Sequence, residues 1–387
     1  MRIGIDCRTI LNPSSGEKAG VGHYTYYLVK YLLKLDKRNH YVLFYDHRST
    51  SVKEFKRKNV EFVQFPYSEY KKYLPYAYSH VLVGRVLSKA NLDVFHSPAN
   101  VIPMQYNKPA VVTVHDLAIY QHPEWFPPKQ DFSVKVLVPK SLHKAAQIIA
   151  VSQATACDIQ KQFKVPTKRI TTILEGYEPV KAPSKLAIHA LRKKLHLNEQ
   201  YLLYVGTLEP RKNIAGMIAA FDTLVRRKPR RFKHVQLVLA GAKGYHFQDN
   251  YKAIQSIQAS SVRYLGYVSA KDKHALLHGA QAFLFPSLYE GFGLPVIEAM
   301  AAGTPVITSN VSSMPEVAGK AAVLVNPSSS LAIQQAIEKV MNAKTRNSLS
   351  KKGKLQAKKF SWEKCARETL NVYETVVTRS QEIVVSS

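Results

Sequence analysis

Short apolar runs alternate with helical patterns in two successive rounds, and this repetition most constrains the fold. The first round contains RIGIDC (2–7), YVLFYD (41–46), VEFVQF (60–65), DVFHSP (93–98), AVVTVHD (110–116), QIIAVS (147–152) and RITTILEG (169–176). The second contains YLLYVG (201–206), HVQLVLAG (234–241), VRYLGYV (262–268), AFLFPS (282–287), PVITSN (305–310) and AAVLVNP (321–327). Such alternation is typical of parallel sheets covered by helices. The sequence therefore predicts an α/β protein with two Rossmann-like, doubly wound domains.

The domain boundary is placed between these rounds, where two prolines accompany a charged helical pattern. We expect an N-terminal domain over residues 1–177, a linker over 178–198 and a C-terminal domain over 199–360. The last pattern, 360–377, predicts an amphipathic helix. Its candidate buried residues are Trp362, Cys365, Leu370 and Tyr373.

Composition narrows the class of protein. The chain has 387 residues, of which 46% are hydrophobic, so each of two domains can bury a core. No apolar run is long enough to span a bilayer and no signal-peptide pattern is present, so we expect a cytoplasmic location. The 3 cysteines are far apart, which argues against a disulfide framework or CxxC metal site. The formal charge of +28 indicates an anionic partner: nucleic acid, an anionic bilayer or a phosphorylated substrate.

The stretch 286–310 is the strongest candidate site. A strand ends at Pro286, a turn contains Gly291 and Gly293, and a helix begins at Leu294-Pro295, an arrangement that exposes backbone N–H groups to phosphate or sugar oxygens. Glu290 and Glu298 bracket the turn and have no evident structural role. Carboxylates accept hydrogen bonds from vicinal hydroxyls. The stretch therefore predicts a sugar or ribose bound beside a pyrophosphate.

The phrase EGFGLPVIE closely resembles the Glu-seven-residues-Glu signature of retaining glycosyltransferases of family 4 (glycosyltransferase group 1). The resemblance implies the GT-B fold, in which two Rossmann-like domains face a central cleft and a C-terminal helix, here 361–387, crosses back to the first domain. It also implies that Glu290 binds the donor sugar hydroxyls and Glu298 the ribose hydroxyls. The turn residues Gly291, Phe292, Gly293 and Leu294 would contact the leaving group.

Four features of the first domain are weighed as site candidates. The loop Gly20-Val21-Gly22 lies just before a helical pattern that starts at His23. GVGHYT resembles the family loop that contacts a diphosphate or acceptor phosphate, although His23 replaces a common arginine. His115, in a V-H-D-L setting, is implied by the resemblance to face the donor sugar. His96 is a weaker candidate at a strand exit. Asp46 imitates a ribose-binding acid, but the dinucleotide fingerprint that would support this role is absent.

The segment GTLEPRKN (206–213) supplies the cationic candidates of the second domain. Arg211 and Lys212 are predicted in the first turn of a helix, where cations are unfavourable unless an anion binds there. The resemblance implies that they bind the two phosphates of the leaving group. Gly206 and Thr207 are further substrate-binding candidates, and Thr207 stands where many members of the family have arginine.

The exits of two other strands in this domain are nucleobase candidates. The resemblance implies that Tyr267 and Val268 contact the base largely through the backbone, with Ser309 and Asn310 near the same edge.

These features together predict transfer of a hexose from a nucleotide-diphosphate sugar to a glycan or lipid-linked saccharide, with retention at the anomeric carbon. Chains that combine a GVG-type loop with GTLEPRKN resemble mannosyltransferases, which favours GDP-mannose. The sequence has no Asp-x-Asp motif, so no catalytic metal or other cofactor is expected. Arg211, Lys212 and the N–H groups of the glycine turn would instead stabilise the departing pyrophosphate.

Other functions fit parts of the pattern. A sugar-nucleotide epimerase or a phosphorylase would keep the same fold. The charge also suits a nucleic-acid-binding protein, but no RNP, KH, helix-turn-helix or zinc spacing supports that class. The segment 65–87 mixes tyrosine, lysine and proline. It suits either a peripheral membrane interface on the cytoplasmic face or ordinary packing.

Overall fold

The computed structural model describes residues 1–10, 20–45, 54–65, 83–128, 133–248 and 261–386. The chain divides into two compact units. The first comprises Met1–Leu117, Pro128–Gly176 and Ser361–Ser387, and the second comprises Ala118–Pro127 and Tyr177–Phe360. Asp46 and most of the candidate membrane segment, 66–82, lie outside the described residues.

The first unit contains a seven-stranded sheet with strand order β3-β2-β1-β4-β5-β6-β7 in the described part of the chain. Every pairing is parallel. The central strands are buried on both faces because helices cover both sides, which explains their nearly continuous apolar sequence. The strands are β1 (Arg2–Asp6), β2 (His40–Tyr45), β3 (Val60–Gln64), β4 (Val94–Ser97), β5 (Ala110–Val114), β6 (Gln147–Ala150) and β7 (Ile170–Thr172).

The second unit contains a six-stranded parallel sheet, in the order β10-β9-β8-β11-β12-β13 among the described residues. Its strands are β8 (Gln200–Val205), β9 (Val235–Ala240), β10 (Val262–Gly266), β11 (Ala282–Phe285), β12 (Val306–Ser309) and β13 (Ala322–Val325). Each strand-like run of the sequence forms a strand, so the prediction of two Rossmann-like sheets is confirmed.

Helices follow the strands in both units. Those of the first unit are α1 (Val21–Leu35), α2 (Val83–Lys89), α4 (Val138–Lys144), α5 (Gln153–Phe163) and α14 (Trp362–Ser386). Those of the second are α3 (Ala118–Gln121), α6 (Lys185–Lys194), α7 (Ile214–Arg227), α8 (Pro229–Phe232), α9 (Ala270–Gly279), α10 (Leu294–Ala302), α11 (Met314–Ala318), α12 (Ser330–Val340) and α13 (Ala343–Ala357). None of the helices in the described ranges is both long enough and apolar enough to cross a membrane.

Two helix starts show how well local sequence marks a boundary. Helix α10 begins at Leu294, as predicted, between Gly293 (φ 113°) and Gly303 (φ 80°), which both have left-handed backbones. Helix α1 begins at Val21, two residues before the predicted start at His23, because the Tyr24 N–H already bonds to the Gly20 carbonyl. Of the predicted loop residues Gly20, Val21 and Gly22, Gly20 alone precedes the helix, with φ 64°. The prediction that Val21 and Gly22 lie in a loop is therefore wrong.

The C-terminal helix α14 packs on α1 within the first unit. The Trp362 indole stacks on the Tyr27 ring at a centroid distance of 5.4 Å. Position 176 requires glycine, since a Cβ there would lie 2.1 Å from the backbone nitrogen of Trp362. Trp362 and Tyr373 are buried as predicted, and so is Cys365. Leu370 is only half-buried, because neighbouring Thr369 and Val372 occupy the inward face.

Candidate active site

The candidate residues of the second unit gather at the carboxyl edge of its sheet. Because its strands are parallel, their C-terminal ends lie along one edge. Gly206 and Thr207 follow β8, while Tyr267 and Val268 follow β10. The segment 286–293 follows β11, and Asn310 follows β12. Tyr267 is 64% exposed at this edge. Loops from four strands therefore share the place where α/β sheets bind ligands.

Glu290 is the centre of this edge. Its side chain is only 7% exposed, and both of its oxygens contact cations. Arg211 Nη1 lies 2.9 Å from Oε2, and Lys212 Nζ lies 2.5 Å from Oε1. Arg211 Nε also lies 2.7 Å from Glu209 Oε1. Two carboxylates and two cations thus form one network with no formal net charge, in which Glu290 and Lys212 are buried and Arg211 and Glu209 are partly exposed.

This network corrects two sequence-based interpretations. Glu290 has a structural partner, contrary to expectation, and the two cations need no external anion to neutralise them. They lie in a 3-10 turn, Pro210–Lys212, that ends before α7 begins at Ile214. The Leu288 N–H donates to the Arg211 carbonyl at 2.8 Å, which ties the β11 loop to this turn. Sequence spacing does not reveal that contact. Glu209 was not predicted as a site residue, although it contacts Arg211 within the same turn.

Burial and neighbouring charge shift the ionisation of the pair. Burial lowers the pKa of Lys212, and the charge of Arg211 acts in the same direction, against the opposite effect of Glu290. Burial acts to raise the pKa of Glu290, but the charges of Lys212 and Arg211 outweigh it and hold that pKa below its usual value. The ionisation of the two groups is therefore coupled, since each charge favours the charged form of the other.

The glycine turn is held by two serines that sequence reasoning missed. Ser312 Oγ accepts a 3.0 Å hydrogen bond from the Glu290 N–H. Ser313 Oγ lies 2.9 Å from the carbonyl oxygens of Glu290 and Phe292. At Gly293 a Cβ would lie 2.3 Å from Met314 Cε, so a side chain there would meet both a clash and a positive φ. These contacts fix the position of Glu290 and the start of α10.

Glu298, in the second turn of α10, also has a partner that the sequence did not indicate. Lys273 Nζ, on α9, lies 2.6 Å from Glu298 Oε1. The two side chains are 27% and 18% exposed, respectively, so this pair is more accessible than the one at Glu290. The expectation that Glu298 lacks a structural role is therefore also wrong.

The histidines of the first unit are packed into their surroundings. His115 Nε2 donates to the Pro98 carbonyl at 2.8 Å, and its Nδ1 lies 3.4 Å from Glu175 Oε1. His115 is mostly buried, and Glu175 was not predicted. His96 is fully buried between the hydroxyls of Tyr373 (2.6 Å) and Thr113 (2.8 Å). Burial lowers its pKa to about 3.

These contacts lead to different conclusions about the predicted roles of His96 and His115. The interpretation of His96 as a cleft residue is wrong, since it is a core residue with both ring nitrogens engaged. The role of His115 toward a donor sugar stays a prediction. Gly20, Val21, Gly22 and His23 lie at the start of α1, with the His23 ring 4.6 Å from that of Tyr27. Their contact with a phosphate also stays a prediction.

A metal centre is not evident in the described ranges, where no three His, Cys, Asp or Glu side chains cluster closely enough to hold an ion.

Comparisons with known proteins agree with this architecture. The model for glycosyl transferases group 1 matches residues 188–356, and that for glycosyltransferase family 4 matches residues 19–180. O-antigen chain mannosyltransferase B of Escherichia coli is 34% identical over 287 residues, which are 73% of this chain and 74% of that protein. The two models together span most of both units.

Solved structures show the same fold along nearly the whole chain. Sucrose-phosphate synthase from Thermosynechococcus elongatus has a TM-score of 0.77 at 20% identity, covering 98% of this chain and 99% of that one. An Anabaena protein in complex with UDP and glucose has a TM-score of 0.73 at 18% identity, covering 97% and 100%. The predicted GT-B class is thereby confirmed, and neither an epimerase nor a phosphorylase is favoured. The chain belongs to glycosyltransferase family 4, within glycosyl transferases group 1, and is a glycosyltransferase.

Proposed function

We propose that the protein transfers mannose from GDP-mannose to a saccharide acceptor and retains the configuration of the anomeric carbon. The buried network of Arg211, Lys212 and Glu290 at the carboxyl edge of the second sheet is the observation that carries this proposal. Similarity to a mannosyltransferase of Escherichia coli supports the choice of sugar.

The two cations suit the diphosphate of the donor. Breaking the anomeric bond builds negative charge on the leaving group, and fixed donors in a buried site stabilise that charge more than water-exposed ones do. An ammonium has three N–H donors, and Lys212 gives one of them to Glu290. The other two are the donors proposed for the phosphate oxygens. Glu290 and Glu209 hold the cations in place before the donor binds.

Glu290 suits the donor sugar. Each of its oxygens contacts one cation and keeps a further lone pair, which accepts a hydrogen bond from a sugar hydroxyl. The same carboxylate stabilises positive character on the ring as the anomeric bond lengthens. We assign it no nucleophilic role, because both oxygens are bound by cations.

The remaining contacts follow the carboxyl edge. Glu298 binds the ribose hydroxyls, with Lys273 fixing the carboxylate from α9. The turn Gly291–Leu294 approaches the diphosphate, joined by Gly206 and Thr207 after β8. Tyr267 and Val268 contact the nucleobase. His115 and the Gly20–His23 segment of the first unit are proposed for the donor sugar and for a phosphate.

The acceptor class is a glycan or a lipid-linked saccharide. No metal ion is required in this proposal, since Arg211 and Lys212 take the charge that a divalent cation would otherwise neutralise. Activity that persists in EDTA would support this part of the proposal, and activity restored only by a divalent ion would contradict it.

A donor panel tests the proposed function. The purified protein is incubated with GDP-mannose, UDP-glucose and ADP-glucose in turn, with a mannose-terminated oligosaccharide as acceptor. We expect an extended product from GDP-mannose only. The anomeric configuration of the new linkage is then read by NMR. An α-linkage from the α-configured donor supports retention, whereas a β-linkage contradicts it.

A further inference from the structure

The outer face of helix α13 and the residues just after it form an unneutralised basic surface. Between Glu338 and Glu363 the chain has no acidic residue. It has eight cations in that interval: Lys339, Lys344, Arg346, Lys351, Lys352, Lys354, Lys358 and Lys359. We call the outward residues Lys344, Lys351, Leu355 and Lys358 the α13 face. This concentration accounts for a substantial part of the charge of +28 that the donor site does not use.

The lysines of the α13 face have no acidic partner within the part of the chain that the structure describes. Other cations of the chain form ion pairs with the acids that flank this interval: Lys228 pairs with Glu338, and Arg367 pairs with Glu363. An ordinary solvated helix gains a little stability from such pairs. The α13 face gains none, so its charges are not explained by helix stabilisation.

The charges at the N-terminus of α13 are unfavourable for the helix itself. Lys344 and Arg346 lie in the first turn of α13, which has no acidic residue. Cations near a helix N-terminus oppose the helix dipole. Lys354 and Lys358, at the other end of α13, are favoured by the dipole but repel each other one turn apart. An external anion would relieve both effects.

The α13 face contains an exposed apolar residue between its lysines. At 100° per residue, Lys344, Lys351, Leu355 and Lys358 project within about 60° of one another. The opposite face buries Leu349, Gly353 and Ala357, and α13 packs there against α10. Leu355 is 64% exposed among the lysines. Lysine stems lying along a lipid surface with a leucine inserted between them are typical of interfacial helices.

We propose that the α13 face binds an anionic lipid bilayer through its headgroups. The exposed leucine and the absence of an exposed aromatic residue on this face favour lipid over nucleic acid, which is usually bound with stacking side chains. The proposal does not depend on the identity of the donor sugar. It places a membrane contact on the second unit.

Vesicle sedimentation tests this assignment with the full chain. One variant carries Lys344→Gln, Lys351→Gln and Lys358→Gln. A matched control carries Arg227→Gln, Arg230→Gln and Lys233→Gln, which removes the same charge from exposed positions at and after the end of α7. Vesicles contain phosphatidylcholine alone or with about 30% phosphatidylglycerol.

We expect wild type and control to bind the anionic vesicles at low salt and the α13 variant to bind about tenfold more weakly. Leu355→Ser should weaken binding severalfold at unchanged charge. Transfer to a water-soluble acceptor should be the same in all variants, which separates this proposal from the donor site. Equal loss in variant and control, undiminished vesicle binding by the variant, or an α13-dependent affinity for oligonucleotides but not vesicles would overturn the proposal.

Discussion

Lys212 Nζ and Glu290 Oε1 lie 2.5 Å apart although 78 residues separate them in the chain. The turn after β8 and the loop after β11 bring them together, because β8 and β11 are neighbours in the sheet. The contact joins the cationic and acidic parts of the candidate site into one network. Its consequences for stability and for catalysis are separable by experiment.

Removing one partner of this buried pair should destabilise the protein. Lys212→Met leaves Glu290 with Arg211 alone and should lower the free energy of unfolding by about 2 kcal/mol. Lys228→Met breaks the more exposed pair with Glu338 and should cost under about 1 kcal/mol. Scanning calorimetry compares the two, and equal effects would contradict the burial argument.

Stability should depend on pH through Glu290. Burial alone would raise its pKa, but Lys212 and Arg211 hold that pKa below the usual 4.5, so the unfolded state binds the proton first as pH falls. The stabilisation is therefore complete above about pH 5 and is lost at lower pH. The melting temperature of wild type should exceed that of Glu290→Gln at neutral pH, and the difference should shrink in acid. A constant difference would contradict this assignment.

Glu209 should act by positioning Arg211. Glu209→Gln weakens the contact to Arg211 Nε and should lower kcat about fivefold, with a smaller change in KM for the donor. Glu199→Gln, which alters an exposed pair with Arg192, is the matched control and should leave both constants unchanged. Steady-state kinetics measure kcat and the KM for the donor separately for each variant. A purely structural role would lower the melting temperature without this change in kcat.

The glycine turn should tolerate no side chain at its last position. Gly293→Ala combines a positive φ with a contact to Met314 Cε and should cost about 2–3 kcal/mol of stability and most of the activity. Gly266→Ala also has a positive φ but meets no atom within 4 Å, so it should cost only about 1 kcal/mol. Denaturation and transfer assays compare them, and equal losses would mean that the Met314 contact is unimportant.

Patterns within one element predicted the structure well. The strand runs, the start of α10 at Leu294 and its end at Gly303 follow from apolar runs, proline and glycine. Partners distant in the chain were not predicted. Lys273 and Ser313 contact Glu298 and Glu290 across 25 and 23 residues, through strand order and loop packing. Glu209 is close to its partner Arg211 in sequence, but its side-chain direction depends on the 3-10 turn. His96 was misjudged for the same reason, because its partner Tyr373 lies 277 residues later in the chain.

The central claim is that the Lys212–Glu290 network binds the donor diphosphate. Calorimetric titration of GDP-mannose into wild type and Lys212→Met tests this claim most directly. Lys228→Met serves as the control, and all three proteins are first shown to be folded by circular dichroism. We predict saturable binding by wild type and control, and a dissociation constant at least about tenfold higher for Lys212→Met. Equal dissociation constants for wild type and Lys212→Met would contradict the account.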